Sequence, residues 1–233
     1  MKSINNNVEV VVFITPEYFE MYTEIFEKTL PSEVKDVTVY YKRLPPFTNY
    51  TNKHKNLYKR VATYADHVRG RFNEVSSPER PPHMPCIDKV LFVDVDIIFY
   101  DNFVKQTCDI LDDYDMAFQG DVPQHPIKWY CGGIWGIRCN QESVHFLDNI
   151  LLPAISPTSE EFFARQEVGY PEKELNDILF DLENYDTNIK VTTFPSEFGF
   201  PVEGSLMYHA VGQYATVHDK MIKLSQEKEM RGI

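Results

Sequence analysis

Two aspartates lie close together inside an otherwise apolar stretch of this sequence. Asp94 and Asp96 interrupt the run Val90–Phe99, whose other eight residues are all apolar. This pattern predicts a strand that is buried on both faces. Side chains at i and i+2 of a strand point to the same face, and two buried carboxylates repel each other unless a cation lies between them. Because carboxylate oxygens suit Mg²⁺ or Mn²⁺, the pair predicts a divalent metal site.

A simpler interpretation places the two aspartates at an exposed strand end, where they would cap a turn. The apolar residues Ile97, Ile98 and Phe99 follow directly and argue against it, because an exposed strand end does not need them. We therefore expect both carboxylates within the sheet, near the crossover where open α/β sheets bind ligands.

The composition restricts the class of protein. The 233 residues suffice for one large α/β domain, and 23 Lys and Arg against 35 Asp and Glu give a net charge of −12. This balance argues against nucleic acid as a partner, because binding to a phosphate backbone needs clustered cations. A phosphorylated ligand would therefore depend on a metal or on a few well-placed Lys and Arg side chains.

The cysteines and the N-terminus bear on the compartment. The four cysteines show no CxxC spacing, so neither a zinc site nor a redox pair is indicated. The N-terminal apolar run, Val8–Ile14, is too short for a signal peptide or a membrane span, and Pro16 follows it. We expect a soluble, cytoplasmic protein.

Strands and helices alternate along the chain, which predicts a single α/β domain. The expected strands are Val8–Thr15, Val37–Tyr41, Val90–Phe99, Met116–Gln119, Trp129–Arg138, Ile189–Phe194 and Leu206–Ala210. The expected helices are Glu17–Leu30, Asn52–Phe72, Asn102–Leu111, Gln141–Leu151 and Glu172–Leu182.

Two enzyme classes carry Asp-x-Asp after an apolar strand. In phosphatases of the haloacid-dehalogenase type the motif lies near the N-terminus and continues to Thr or Val, where this chain has Ile98. The chain more closely resembles metal-dependent glycosyltransferases of the GT-A fold, above all the retaining galactosyltransferase and glycogenin-type families and related nucleotide-diphospho-sugar transferases. The resemblance runs from Val8 to about Lys220 and rests on four motifs: Asp94–Asp96, Cys131–Ile137, Glu174–Asp177 and Tyr208–Gly212.

The resemblance implies a fold and a metal site. It implies one Rossmann-like domain over residues 1–233 with a mixed, mostly parallel central sheet, a nucleotide-binding half of about 1–100 and an acceptor-binding half of about 101–233. Asp96 would bind the metal directly, Asp94 would reach the metal or the ribose, and His209 of an H-x-x-G ending at Gly212 would be the third ligand. An imidazole among carboxylates favours Mn²⁺ over Mg²⁺. The alternative for His209 is a hydrogen-bonded core histidine.

The resemblance also implies residues that hold the donor nucleotide. Thr15 and Tyr18, just after the first strand, would contact the base, and Lys59 and Arg60 would reach a phosphate. A solvated helix face is the alternative for these two basic residues. The lysine that the families use for the diphosphate is displaced in this sequence, so either Lys220 takes that role or the role is missing.

Further motifs bear on sugar and acceptor binding. Gly132 and Gly133 would let a sugar lie against the backbone, although a structural bulge explains them equally well. Cys131 stands where the families often have Asn, which leaves acceptor recognition open. Asp121 would hydrogen-bond donor sugar hydroxyls, with a surface turn as its alternative. Gly212, the glycine of the H-x-x-G motif, would be among the residues that bind the donor nucleotide.

The candidate catalytic carboxylates are Glu174 and Asp177, three residues apart at a helix start. The helix dipole favours their ionised forms there, which suits holding hydroxyls or a cationic transition state better than taking up a proton. Helix capping is the alternative role. With the resemblance to retaining families, this favours a retaining transfer from a nucleoside diphosphate sugar, expected to be a UDP-sugar, to a glycan or glycoprotein hydroxyl. A Mg²⁺-dependent phosphatase and a catalytically silent sugar-nucleotide-binding domain are the alternatives.

Overall fold

The computed structural model describes residues 7–42, 50–80, 86–120, 130–156, 172–200, 204–210 and 216–233. Its strands are β1 (Glu9–Ile14), β2 (Asp36–Tyr41), β3 (Lys89–Val93), β4 (Ile97–Phe99), β5 (Met116–Gly120), β6 (Tyr130–Arg138), β7 (Val191–Phe194), β8 (Phe198–Gly199) and β9 (Met207–His209). Its main helical segments are α1 (16–29), α2 (Tyr50–Ser76), α3 (Val104–Asp113), α4 (141–154), α5 (Glu172–Phe180) and α6 (Val217–Arg231). Segments α1 and α4 each contain a π-helical stretch, Tyr22–Phe26 and Phe146–Leu151.

Six strands form a mixed, mostly parallel central sheet in the order β2-β1-β3-β6-β5-β7. Strands β2 and β3 both run parallel to β1, β7 runs parallel to β5, and β6 is antiparallel to both of its neighbours. A second sheet contains three short strands in the order β4-β9-β8. The predicted α/β fold with a mostly parallel sheet is confirmed.

Apolar side chains cover both faces of the central sheet. On β1, Val10 and Val12 join one core with α1, α3 and the small sheet, while Val11 joins a second core with α2, α4 and α5. Every residue of β1 is buried, as expected for an interior strand with helices on both sides. The helices therefore flank the sheet and leave the carboxyl ends of β1 and β3 to build a site.

The prediction of one continuous strand from Val90 to Phe99 is wrong. Strand β3 ends at Val93, the chain bends at Asp94–Asp96, and β4 then enters the small sheet beside β9. The apolar residues on both sides are buried as expected. The burial pattern is the same for one long strand and for two consecutive strands of different sheets, so it did not reveal the break.

The other predicted elements are present, with shifted ends. Helix α3 begins at Val104, whose backbone N–H donates to the Asn102 side chain (2.9 Å). Helix α6 was not predicted, although it has clear boundary signals: Thr216 caps its first turn by accepting from the Asp219 N–H (3.1 Å), and Gly232 ends it in a left-handed conformation (φ 70°). None of the helices in the described ranges has the length and apolar character needed to cross a lipid bilayer.

Candidate metal centre and active site

The bend between β3 and β4 is fixed by backbone hydrogen bonds to two other strands. The Asp94 N–H donates to the Gly133 carbonyl of β6 (2.8 Å), and the Ala210 N–H, just after β9, donates to the Asp96 carbonyl (3.0 Å). The two aspartates thus lie where the central sheet meets the small sheet. This is the carboxyl end of β3, the usual place for a ligand in an open α/β sheet.

Asp94, Asp96 and His209 come together at this bend. One ligand atom from each lies within 4.8 Å of the others. His209 Nε2 is 3.2 Å from Asp96 Oδ1 and 3.7 Å from Asp94 Oδ2. Asp96 and His209 are buried, whereas the Asp94 side chain keeps 29% of its exposure. Two carboxylates and an imidazole that converge from a bend and a strand are a donor set that Mn²⁺ or Mg²⁺ accepts, so these residues fit a divalent metal.

Two further cations contact the outer oxygens of the aspartates. Arg60 of α2 donates from Nη1 to Asp94 Oδ1 (2.8 Å) and from Nη2 to the Gly132 carbonyl (3.2 Å). Lys220 of α6 donates to Asp96 Oδ2. Each carboxylate therefore has one oxygen held by a basic side chain and the other directed at His209.

The charges of the cluster shift its pKa values in opposite directions. Burial raises the pKa of Asp96, but His209 and Lys220 outweigh it and hold that pKa well below its ordinary value. Burial raises the pKa of Asp94, with Arg60 opposing and the Asp96 charge adding to it. Burial lowers the pKa of His209, but Asp96 overrides it and, with a smaller contribution from Cys131, raises the value to about 10. The raised pKa favours the protonated imidazole, and this proton must leave before the ring can bind a metal.

The glycines of β6 make room for this arrangement. Phe118 of β5 pairs with Trp135, but the next residue, Gln119, pairs with Cys131, so residues 132–134 bulge from the β5–β6 ladder. A Cβ at Gly133 would lie only 2.0 Å from His209 Cε1. The bulge that was the alternative explanation of Gly132 and Gly133 is present, and Gly133 is the position where the imidazole ring packs against bare backbone.

Two contacts of His209 were not predicted from the sequence. Gln119 is fully buried at the end of β5, and its Oε1 accepts a hydrogen bond from His209 Nδ1 (2.8 Å). The half-buried Cys131 lies close enough to His209 to contribute to the raised pKa of its imidazole. The sequence signal for Gln119 was a polar residue directly after the apolar strand residues Met116–Phe118. Periodicity assigns this position to the strand but does not show that its side chain contacts His209.

The predicted base-binding residues follow β1, the strand that pairs with β3 in the central sheet. Thr15 follows β1, and its buried hydroxyl has no hydrogen-bond partner within the described part of the chain. Tyr18 is partly buried, and burial raises the pKa of its phenol, with Lys220 opposing and Asp96 adding to the effect. These electrostatic couplings put Tyr18 near both the metal-site carboxylate and the lysine.

Other predicted residues are farther from the cluster or outside the described residues. Lys59 is exposed on α2, although its neighbour Arg60 reaches the site. Glu174 belongs to the first turn of α5, and Asp177 is exposed on the same helix. Between them, the buried Asn176 anchors α5 to β6, because its amide accepts from the Tyr130 N–H (2.7 Å) and donates to the Tyr130 carbonyl (3.0 Å). Asp121 and Gly212 lie outside the described residues.

Comparison with known proteins identifies the fold. No protein-family profile and no curated protein sequence matches the chain. Solved structures do match: the galactosyltransferase LgtC, in complex with donor and acceptor sugar analogues, aligns with a TM-score of 0.55 over 96% of this chain and 95% of its own, at 13% identity. A glycosyltransferase involved in glycosylation of the major capsid of PBCV-1 aligns with a TM-score of 0.53 over 93% of this chain and 99% of its own, at 11% identity.

The chain has the GT-A glycosyltransferase fold. At these identities the likeness establishes the fold alone, so the chemistry must be argued from the side chains. The relevant side chains are those at the β3–β4 bend: Asp94, Asp96 and His209 with Arg60 and Lys220 around them.

Proposed function

We propose that this chain is a single-domain, metal-dependent glycosyltransferase that moves a sugar from a UDP-sugar to a hydroxyl of a glycan or glycoprotein. The observation that carries the proposal is the convergence of Asp94, Asp96 and His209 at the carboxyl end of β3. The similar structures support the reaction type, because they are glycosyltransferases that align over nearly the whole length of this chain. The halves 1–100 and 101–233 would serve the nucleotide and the acceptor.

In this proposal Asp94, Asp96 and His209 hold Mn²⁺, or Mg²⁺ in its place. When bound, the metal supplies Lewis-acid neutralisation of the diphosphate leaving group. Arg60 and Lys220 are the local cations of a chain whose net charge of −12 would otherwise repel a diphosphate. Both already contact the metal-site carboxylates, so they can turn to phosphate oxygens without a large movement.

The remaining predicted residues are assigned by position. The Thr15 hydroxyl is a buried polar atom available to the base or ribose, and Tyr18 is coupled electrostatically to Lys220 beside it. Asp177, with Glu174 on the same helix, is proposed to hold hydroxyls of the transferred sugar or the acceptor. Neither is proposed as a proton acceptor, so we propose retention of the anomeric configuration. NMR of the product from an α-linked UDP-sugar tests this, and a β-linked product contradicts it.

The decisive experiment compares two aspartate variants. Asp96→Asn removes one buried carboxylate charge from the metal site, whereas Asp113→Asn makes the same change at an exposed position on α3. We expect wild type and Asp113→Asn to bind UDP more tightly with Mn²⁺ than without it, and to turn over UDP-sugars. Asp96→Asn should lose the Mn²⁺-dependent part of UDP binding and the activity, measured by isothermal titration calorimetry and product release.

Three outcomes would contradict the proposal. If Asp96→Asn keeps its Mn²⁺-dependent UDP binding, the assignment of the metal site to Asp96 is wrong. Wild type could release phosphate from small phosphoesters instead, which would make it a phosphatase. It could also bind UDP-sugars without turning any of them over in the presence of acceptors, which would leave a binding domain.

A further inference from the structure

Gln119 is the buried partner of His209 on the side opposite the carboxylates. Its side chain has no solvent exposure, and its Oε1 accepts from His209 Nδ1 at 2.8 Å. The other ring nitrogen, Nε2, is 3.2 Å from Asp96 Oδ1. The imidazole is thus held between an amide of the central sheet and the carboxylates at the bend.

This contact has a consequence for metal binding. An imidazole binds a metal through a nitrogen that carries no proton, and the hydrogen bond made by the other nitrogen decides which one that is. An amide oxygen at Nδ1 requires a proton there, which leaves the Nε2 lone pair directed at Asp94 and Asp96. We infer that Gln119 is a positioning residue that fixes the tautomer and the ring orientation of His209 for the metal, an inference that rests on the proposed function.

The surrounding backbone holds this pair in register. Gly199 of β8 has φ +112°, and a Cβ there would lie 2.3 Å from Gln119 Nε2, so bare backbone packs against the amide. Gly133 packs against the imidazole in the same way, because a Cβ at Gly133 would lie only 2.0 Å from His209 Cε1. Strands from both sheets therefore enclose the Gln119–His209 pair, with β6 against the imidazole and β8 against the amide.

A role in core packing alone explains Gln119 poorly. Its Nε2 is buried and has no hydrogen-bond partner among the described residues. Burying an unsatisfied amide donor costs free energy, and a methionine of similar length would fill the space without that cost. The hydrogen bond that its oxygen accepts from His209 Nδ1 explains why an amide is present at this buried position.

Two variants separate the roles. Gln119→Glu keeps an acceptor oxygen for Nδ1, whereas Gln119→Met keeps the length of the side chain and removes the acceptor. With Mn²⁺ affinity measured by electron paramagnetic resonance on the full chain, we expect Gln119→Met to weaken binding by about 10- to 100-fold, the usual loss for a hydrogen-bond partner of a metal ligand. Gln119→Glu should stay close to wild type.

If Gln119 only packs the core, the order of Mn²⁺ affinities should reverse, and Gln119→Met should bind Mn²⁺ better than Gln119→Glu. Met buries no polar atom and would be the better core residue. Thermal unfolding of both variants is measured alongside, so a loss of Mn²⁺ affinity in a fully folded Gln119→Met is assigned to the missing acceptor. Wild-type affinity in Gln119→Met, or a greater loss in Gln119→Glu than in Gln119→Met, overturns the inference.

A measurement on the wild type keeps the inference testable even if Gln119→Met does not fold. In histidine ¹⁵N-labelled protein with diamagnetic Mg²⁺, the His209 resonances, assigned by comparison with His209→Gln, should report a protonated Nδ1 and an unprotonated Nε2. At saturating Mg²⁺, a neutral His209 ring that carries its proton on Nε2 instead of Nδ1 overturns the inference. If wild type binds neither Mn²⁺ nor Mg²⁺, the metal site of the proposed function is wrong rather than the role of Gln119 within it.

Discussion

At the scale of single residues, the site depends on a close approach between a glycine and an imidazole. His209 can reach Asp94 and Asp96 only because position 133 has no side chain. The sequence signal was the Gly132–Gly133 pair, which on its own indicates a sugar lying against the backbone or a bulge. The structure shows two further roles for these glycines, since Gly133 admits the ring and the Gly132 carbonyl accepts from Arg60.

Gly133→Ala should therefore damage the metal site more than the fold. The added methyl group would displace the His209 ring, so we expect Mn²⁺ affinity to fall at least about tenfold, with an overpacking cost of about 1–3 kcal/mol. Gly70→Ala is the matched control, because nothing lies within 4 Å of a Cβ there. It sits inside α2 and should raise stability by about 0.5–1 kcal/mol without affecting Mn²⁺ binding. Titration with Mn²⁺ and thermal unfolding of both variants check this, and wild-type affinity in Gly133→Ala would contradict it.

At the scale of elements, a second ionic cluster joins β1, β2 and α2 at the other end of β1. Glu9 is buried and accepts from Arg71 Nε (2.8 Å) and Nη2 (2.9 Å), from Thr38 Oγ1 (2.6 Å), and contacts His67 Nε2 (2.9 Å). Burial raises the pKa of Glu9, but His67, Arg71 and Thr38 outweigh it and lower the value to about 2. The cluster ties the helix that carries Arg60 to the sheet.

This cluster makes stability depend on pH in acid. The pKa of Glu9 is about 2 in the folded chain against an ordinary 4.5, so the unfolded chain takes up the proton first as pH falls. The ionised Glu9 therefore contributes about 3 kcal/mol to the free energy of unfolding above pH 4.5, and this contribution is lost as pH falls towards 2. Urea unfolding of wild type and Glu9→Gln should show a stability difference that is largest above about pH 5 and shrinks in acid.

The exposed Glu74 offers a control for the Glu9 prediction. It pairs with the same arginine, Arg71, through Nη1 (2.8 Å), but its side chain keeps 66% of its exposure. Glu74→Gln should change stability by less than about 1 kcal/mol at any pH, as exposed ion pairs do. A difference between wild type and Glu9→Gln that stays constant from about pH 7 to about pH 3 would show that Glu9 contributes by shape rather than by charge.

The sequence predicted most elements but not how two of them are joined. Periodicity identified β1, β2, α2 and the glycine-containing β6, because burial on one or both faces leaves a direct pattern. It did not reveal the bend at Asp94–Asp96, since the chain on both sides of it is buried, nor the two-residue strand β8, which is too short to have a period. Gln119 was missed for a different reason: its role depends on a strand 90 residues away, and no local pattern encodes that contact.

At the scale of the whole molecule, the candidate site joins parts that are otherwise packed separately. Asp94 and Gln119 belong to the end of β3 and to β5 of the central sheet, His209 to the small sheet, and Lys220 to α6. Arg60 adds α2 from the opposite face of the central sheet. A ligand that engages these side chains together therefore connects both sheets and two helices.

Binding of Mn²⁺ with UDP should thus stabilise the molecule and slow opening at the junction. At about 100 times the dissociation constant a native-state ligand adds about 2.7 kcal/mol, which for a chain of this size raises the melting temperature by about 5–10 °C. Hydrogen exchange should slow in β9 and in the first turns of α6, while α4, which lies away from the site, keeps its rate. In Asp96→Asn both effects of Mn²⁺ should disappear. Protection spread equally over α4 and β9, or a shift in melting temperature that survives in Asp96→Asn, would mean that the ligand binds somewhere other than the bend between β3 and β4.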